Sequence, residues 1–126
     1  MPREKTKDHP IGVLKKRSAF LAVAAARCKW VTSSFIVQQG ERPPDATEIA
    51  VGYGLTASKK MIGNAVMRNR ARRRLRALVR EVFPSHAQSG KNYVLIARSG
   101  ILSNDYVVLR QELEKALSKL KKKEAG

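Results

Sequence analysis

Apolar and polar positions follow two different periods along this chain, and each change of period marks an element. Ile49, Val51, Tyr53 and Leu55 alternate with Ala50, Gly52, Gly54 and Thr56, which predicts a strand with one bulky face and one bare face. The bulky face seeks a core. The bare face has two readings: close packing of a helix, or close approach of a ligand backbone. From Asn64 to Phe83 the period becomes helical, with Ala71, Leu75, Leu78, Val79 and Val82 on one stripe, and Pro84 is expected to end the helix.

The remaining elements are shorter. Ser34 to Gln39 carries β-branched and aromatic residues and predicts a strand ended by Gly40-Glu41-Arg42-Pro43-Pro44-Asp45. Tyr93 to Ala97 is continuously apolar and suits a central strand covered on both faces. Ser18 is placed as the cap of a helix through Phe20, Leu21, Val23, Ala24 and Ala25, whose start could lie as early as Val13. Ser103 is placed as the cap of a closing helix striped by Tyr106, Leu109, Leu113, Leu117 and Leu120. The order expected is α-β-β-β-α-β-α in a single α+β domain over residues 11–121. A polar arm (1–10) precedes it and a charged tail (122–126) follows.

Charge changes the picture. The 126 residues hold 26 Lys+Arg against 10 Asp+Glu, a net +16 that is costly in self-repulsion unless a polyanion neutralises it. RNA, DNA and an anionic membrane are the partners such a balance admits. A signal-like stretch, Lys15-Lys16-Arg17 followed by Ala19 to Ala26, sits behind a charged segment, and Arg27 stands where a small residue would be needed. No stretch approaches the ~20 apolar residues of a membrane span. Cys28 is the lone cysteine and His9 and His86 the only histidines, so a disulfide within the chain is excluded and a zinc site is not expected. This usage fits a reducing cytoplasm.

The distribution of charge is more informative than its sum. Arg68, Arg70, Arg72, Arg73, Arg74, Arg76 and Arg80 lie within the predicted helix, with no acid among them before Glu81. At about 100° per residue, Arg70, Arg72, Arg73, Arg74, Arg76 and Arg80 fan across the side opposite the apolar stripe. Arg68 falls at its edge and is expected to reach toward the sheet. A solvated face normally mixes signs, whereas planar guanidinium groups of one sign suit phosphate oxygens and exposed bases. Ser58-Lys59-Lys60 and Gly63-Asn64 precede the helix, where unpaired N–H groups also favour phosphate.

These same residues carry a resemblance. Ser58-Lys59-Lys60 followed by Gly63-Asn64-Ala65-Val66-Met67-Arg68-Asn69-Arg70-Ala71-Arg72-Arg73 resembles the RNR signature of the bacterial ribonuclease P protein family. Leu14-Lys15-Lys16 with Phe20 and Val23 resembles that family's first helix, and Asn92 to Arg98 its last strand. The resemblance implies an α+β fold with a four-stranded sheet and a left-handed βαβ crossover, of a kind shared with a ribosomal protein domain. It implies that Ser58, Lys59, Lys60, Asn64, Arg68, Asn69, Arg70, Arg72, Arg73 and Arg76 face a catalytic RNA. It further implies that Lys16, Phe20, Phe35, Gly52 and Gly54 belong to a cleft for the 5′ leader of precursor tRNA.

For Phe20 and Phe35 ordinary core packing is the competing reading, and Tyr53 is read as core. Two departures from the family pattern stand out: Ala24 and Gln38 replace frequent aromatics, and Met61-Ile62 makes the step from the lysines to glycine one residue longer. The chain contains no carboxylate cluster, partnered nucleophile or histidine pair suited to catalysis. The resemblance therefore assigns the chemistry to the RNA subunit with its Mg²⁺, no cofactor or metal to this chain, and no membrane or DNA partner. A ribosomal protein or RNA chaperone using the same basic helix is the main alternative.

Overall fold

The computed structural model describes residues 10–44 and 49–125. The elements are β1 (Ile11–Val13), α1 (Arg17–Ala25), β2 (Cys28–Val31), β3 (Phe35–Glu41), β4 (Val51–Thr56), α2 (Lys59–Ile62), α3 (Ala65–His86), β5 (Lys91–Ala97), α4 (Gly100–Ser103) and α5 (Tyr106–Ala125). Among the described residues the strands form one five-stranded sheet in the order β1-β4-β5-β3-β2. β4 runs parallel to both β1 and β5, while β3 is antiparallel to β5 and β2 antiparallel to β3. The parallel pair β4–β5 is joined across α2 and α3, as a crossover requires.

The expected four-stranded sheet gains a fifth strand because Ile11, Gly12 and Val13 pair with Val51, Gly52 and Tyr53. Three residues are too few to display a period, so this strand is made by its partner. Several predicted ends also move. Gly40 and Glu41 extend β3, because Asn92 and Lys91 pair with them across the ladder. Ser18 lies inside α1, whose cap position is Lys16 with no side-chain cap. Ser103 ends α4 instead of starting α5. The helix runs past Pro84 to His86; in the final turn a proline forfeits one bond and the chain closes with Ala87 N–H donating to Phe83 O. Of the expected arm, residues 1–9 lie outside the described residues, whereas the Pro10 carbonyl accepts from Ala50 and Val51. Residues 122–125, expected as tail, continue α5.

The two faces of the sheet differ in kind. Period-two alternation sends Phe35, Val37, Val51, Tyr53, Tyr93 and Leu95 to one side, where Leu75, Leu78, Val82 and Phe83 of α3 and Leu109, Leu113 and Leu120 of α5 bury them. Phe83 sits edge-on to both Tyr53 and Tyr93, with ring centroids 6.3 and 5.1 Å away. The other face carries a small cluster of Leu14, Val23 and Val94, with Ala19, Phe20 and Ile96 packed against it. Here the bare face of β4 finds its use. A Cβ on Gly54 would collide with the Phe20 ring of α1, and one on Gly52 with Asn92 and Leu14. Helix packing thus accounts for Gly54, whereas Gly52 is covered by side chains outside any helix.

The loop into α4 depends on another close approach. Gly100 N–H donates to Ser33 O at 3.1 Å, and a Cβ at Gly100 would lie 2.5 Å from that same oxygen. Backbone leaves no room to yield, so Gly100→Ala is expected to destabilise the fold by about 1–3 kcal/mol, read as a lower urea midpoint with an unchanged slope.

Candidate nucleic-acid interface

A hydrogen-bonded elbow leads into the arginine helix. Ser58 Oγ accepts from Met61 N–H at 3.1 Å and caps α2, while Asn64 Oδ1 accepts from Met67 N–H at 2.9 Å and caps α3. Between the caps Gly63 has φ +119°, a conformation L side chains rarely adopt. Arg68 Nη1 donates to Gly63 O at 2.9 Å, so this side chain braces the elbow and does not reach the sheet. Ser58 and Asn64, both expected at the interface, thus have structural work in setting its angle.

The seven arginines divide into two groups. Arg72 donates to Asn69 Oδ1 at 3.2 Å and approaches Ala57 O at 3.5 Å. Arg74, expected on the open fan, folds onto α4 and donates to Leu102 O and Asn104 O at 3.4 and 2.9 Å. Arg70, Arg73, Arg76 and Arg80 are exposed and have no hydrogen bond or ion pair among the described residues. Their spacing of three, three and four residues makes one row along the outer face, about 15 Å long at 1.5 Å per residue. Exposed Lys59 and Lys60 stand on the elbow at its head. Glu81, the first acid to follow, accepts from Tyr106 Oη at 2.7 Å and from Arg110 at 3.1 Å, so its charge is committed to α5.

The residues expected in the leader cleft do not gather around one opening. Phe35 is fully buried among the residues facing α3 and α5, on the side of the sheet away from α1. Period two decides this, since Phe35 shares its face with Val37, and Phe35 is withdrawn as a leader contact. Gly52 and Gly54 are roofed by Asn92, Leu14 and Phe20 and form no open floor. Exposed Lys16 borders a hollow of about 500 Å³ between α1 and the Arg42–Pro44 segment, while Phe20 is half-buried and lines neither this hollow nor the next.

A separate hollow of about 310 Å³ lies at the other end of α1, lined by Val23, Ala24, Arg27, Cys28, Lys29 and Gln38. Ala24 and Gln38, the two departures from the family's aromatic pattern, both face it. Arg27 and Lys29 supply its charge and are not among the site residues expected from the sequence. Arg27 adopts φ 58°, a turn no local pattern announces. Among the described residues no three His, Cys, Asp or Glu side chains group as metal ligands would, and no helix is long and apolar enough to cross a membrane.

The family model for ribonuclease P matches residues 11–121, spanning the whole sheet, the elbow and the arginine helix. The chain belongs to the ribonuclease P protein family. It is 46% identical over 110 residues to the ribonuclease P protein component of Paramagnetospirillum magneticum, covering 85% of this chain and 80% of that one. It is 44% identical over 111 residues to the corresponding component of Ruegeria pomeroyi, covering 87% and 86%. Solved ribonuclease P proteins share the fold. That of Staphylococcus aureus superposes with a TM-score of 0.66 at 26% identity over 86% of this chain and 94% of its own. That of Thermotoga maritima gives 0.67 at 23% identity over the same shares.

The Glu81–Tyr106 contact ties the arginine helix to α5 and has a measurable signature. Burial, then the hydrogen bond to Glu81, raises the Tyr106 phenol from its ordinary value of 10.0 to about 12. The folded chain holds this proton more tightly than the unfolded one, so the stability it contributes is complete below pH 10 and is lost as pH rises through about 12. The difference in thermal midpoint between the native chain and Tyr106→Phe should therefore shrink across that window.

Proposed function

We propose that this chain is the ribonuclease P subunit that docks the catalytic RNA through the row Arg70, Arg73, Arg76 and Arg80 and helps hold the 5′ leader of precursor tRNA near α1. The observation that carries the reading is the row itself: four guanidinium groups of one sign, uncompensated among the described residues, on a helix whose inner stripe is buried. Such a face screens phosphate repulsion where two RNAs must meet. The leader, as single-stranded RNA, would lie beside α1, with Arg27 and Lys29 of the smaller hollow against its backbone and half-buried Phe20, which lines neither hollow, as the ring nearest to hand for a base. Hydrolysis that leaves a 5′ phosphate on the tRNA is assigned to the RNA subunit with its Mg²⁺, and the site of work to the cytoplasm.

The deciding experiment is cleavage of precursor tRNA by a bacterial ribonuclease P RNA at low Mg²⁺, with and without this chain. Enhanced leader removal is expected; RNA binding without enhancement would favour a ribosomal or chaperone role. Replacing Arg70, Arg73 and Arg76 together by Ala should weaken binding of that RNA and reduce the slope of log affinity against log salt by about 2–3. Phe20→Leu keeps the packing on Gly54 but removes the ring, so discrimination between precursor and mature tRNA should fall several-fold while the urea midpoint moves little.

A further inference from the structure

The step from α2 into the first turn of α3 exposes three large apolar side chains: Met61 at 43%, Val66 at 77% and Met67 at 44%. One exposed valine calls for no explanation. Three on one short turn, inside the most basic part of the surface, are a different matter. The elbow is also rigid, because Met61 N–H and Met67 N–H are taken up by the caps and Arg68 braces Gly63 O. Lys59 and Lys60 stand before this apolar group and Arg70 after it, all exposed, and no Asp or Glu occurs between Glu48 and Glu81.

We infer that Met61, Val66 and Met67 form an apolar lip that seats against an unstacked nucleobase of the RNA held by the arginine row. The inference rests on the function proposed above and adds a base contact to its phosphate contacts. The charge pattern selects the occupant, since an apolar surface of a protein partner would have to bury the flanking cations, whereas RNA brings phosphates to them. Apolar side chains offer phosphate nothing, but the face of a base in a bulge or loop is an apolar, polarizable plane to which thioether sulfur is well suited. The lip thereby provides a component of affinity that salt does not screen, beside a row whose contribution salt does screen.

The test uses the full chain carrying Met61→Gln, Val66→Thr and Met67→Gln, polar replacements of similar size at exposed positions. A urea midpoint equal to that of the native chain confirms folding. Binding of a bacterial ribonuclease P RNA is then titrated across a series of salt concentrations. Affinity is expected to fall about tenfold at every salt with the slope unchanged. Unchanged affinity, or a slope that falls in parallel with affinity, would overturn the lip. Native binding no tighter than to an unrelated RNA duplex of equal length would instead sink the functional reading, and the lip with it. Native binding intact with an unaltered variant sinks the lip alone.

Discussion

The wedge of Phe83 between Tyr53 and Tyr93 constrains nearly everything outside the core. It seats α3 on the parallel pair β4–β5, and a helix has only one angle about its axis at which Ala71, Leu75, Leu78, Val79 and Val82 are buried as well. With that angle set, Arg70, Arg73, Arg76 and Arg80 must point away from the sheet. The charge display follows from apolar packing on the opposite side. Apolar packing sets it, so raised salt leaves the geometry of the row intact.

The second face of the sheet is governed by absence of side chains. Gly54 admits the Phe20 ring, and a Cβ on Gly40 would stand 3.1 Å from the Val23 backbone, so α1 rides close to the strands. This closeness shapes the cleft. It removes Gly52 and Gly54 from solvent, leaves Phe20 half-buried, and shifts the open space to the two ends of α1, where Lys16 borders one hollow and Arg27 and Lys29 border the other.

How far the sequence could be read depends on where each constraint resides. The stripe of α3 and the alternation of β4 are local, and both were legible, as was the single-sign character of the helix. Contacts set by distant chain were not. β1 exists because β4 offers it an edge, and Arg74 is structural because α4, nearly thirty residues later, presents carbonyls within reach. Phe35 was misplaced for a related reason: its aromatic type suits a stacking site, but only the register of β3 against β5 says which face it occupies. The family resemblance supplied the fold correctly, yet could not divide the arginines into those that stand exposed and those that brace.

That division also explains how the fold tolerates a like-charged helix. Seven arginines within thirteen positions would repel one another strongly if all stood in solvent at their closest spacing. Arg68, Arg72 and Arg74 instead turn toward carbonyl oxygens at Gly63, Ala57, Leu102 and Asn104. Three of those groups, at Gly63, Leu102 and Asn104, lie where the short helices α2 and α4 end and leave acceptors without intrahelical partners. Each bond satisfies an acceptor, draws one positive charge out of the exposed row, and widens the spacing of those that remain. The braces stabilise the elbow and the α4 turn, and the same braces leave the outer row sparse enough to coexist with a folded chain and dense enough to attract a polyanion.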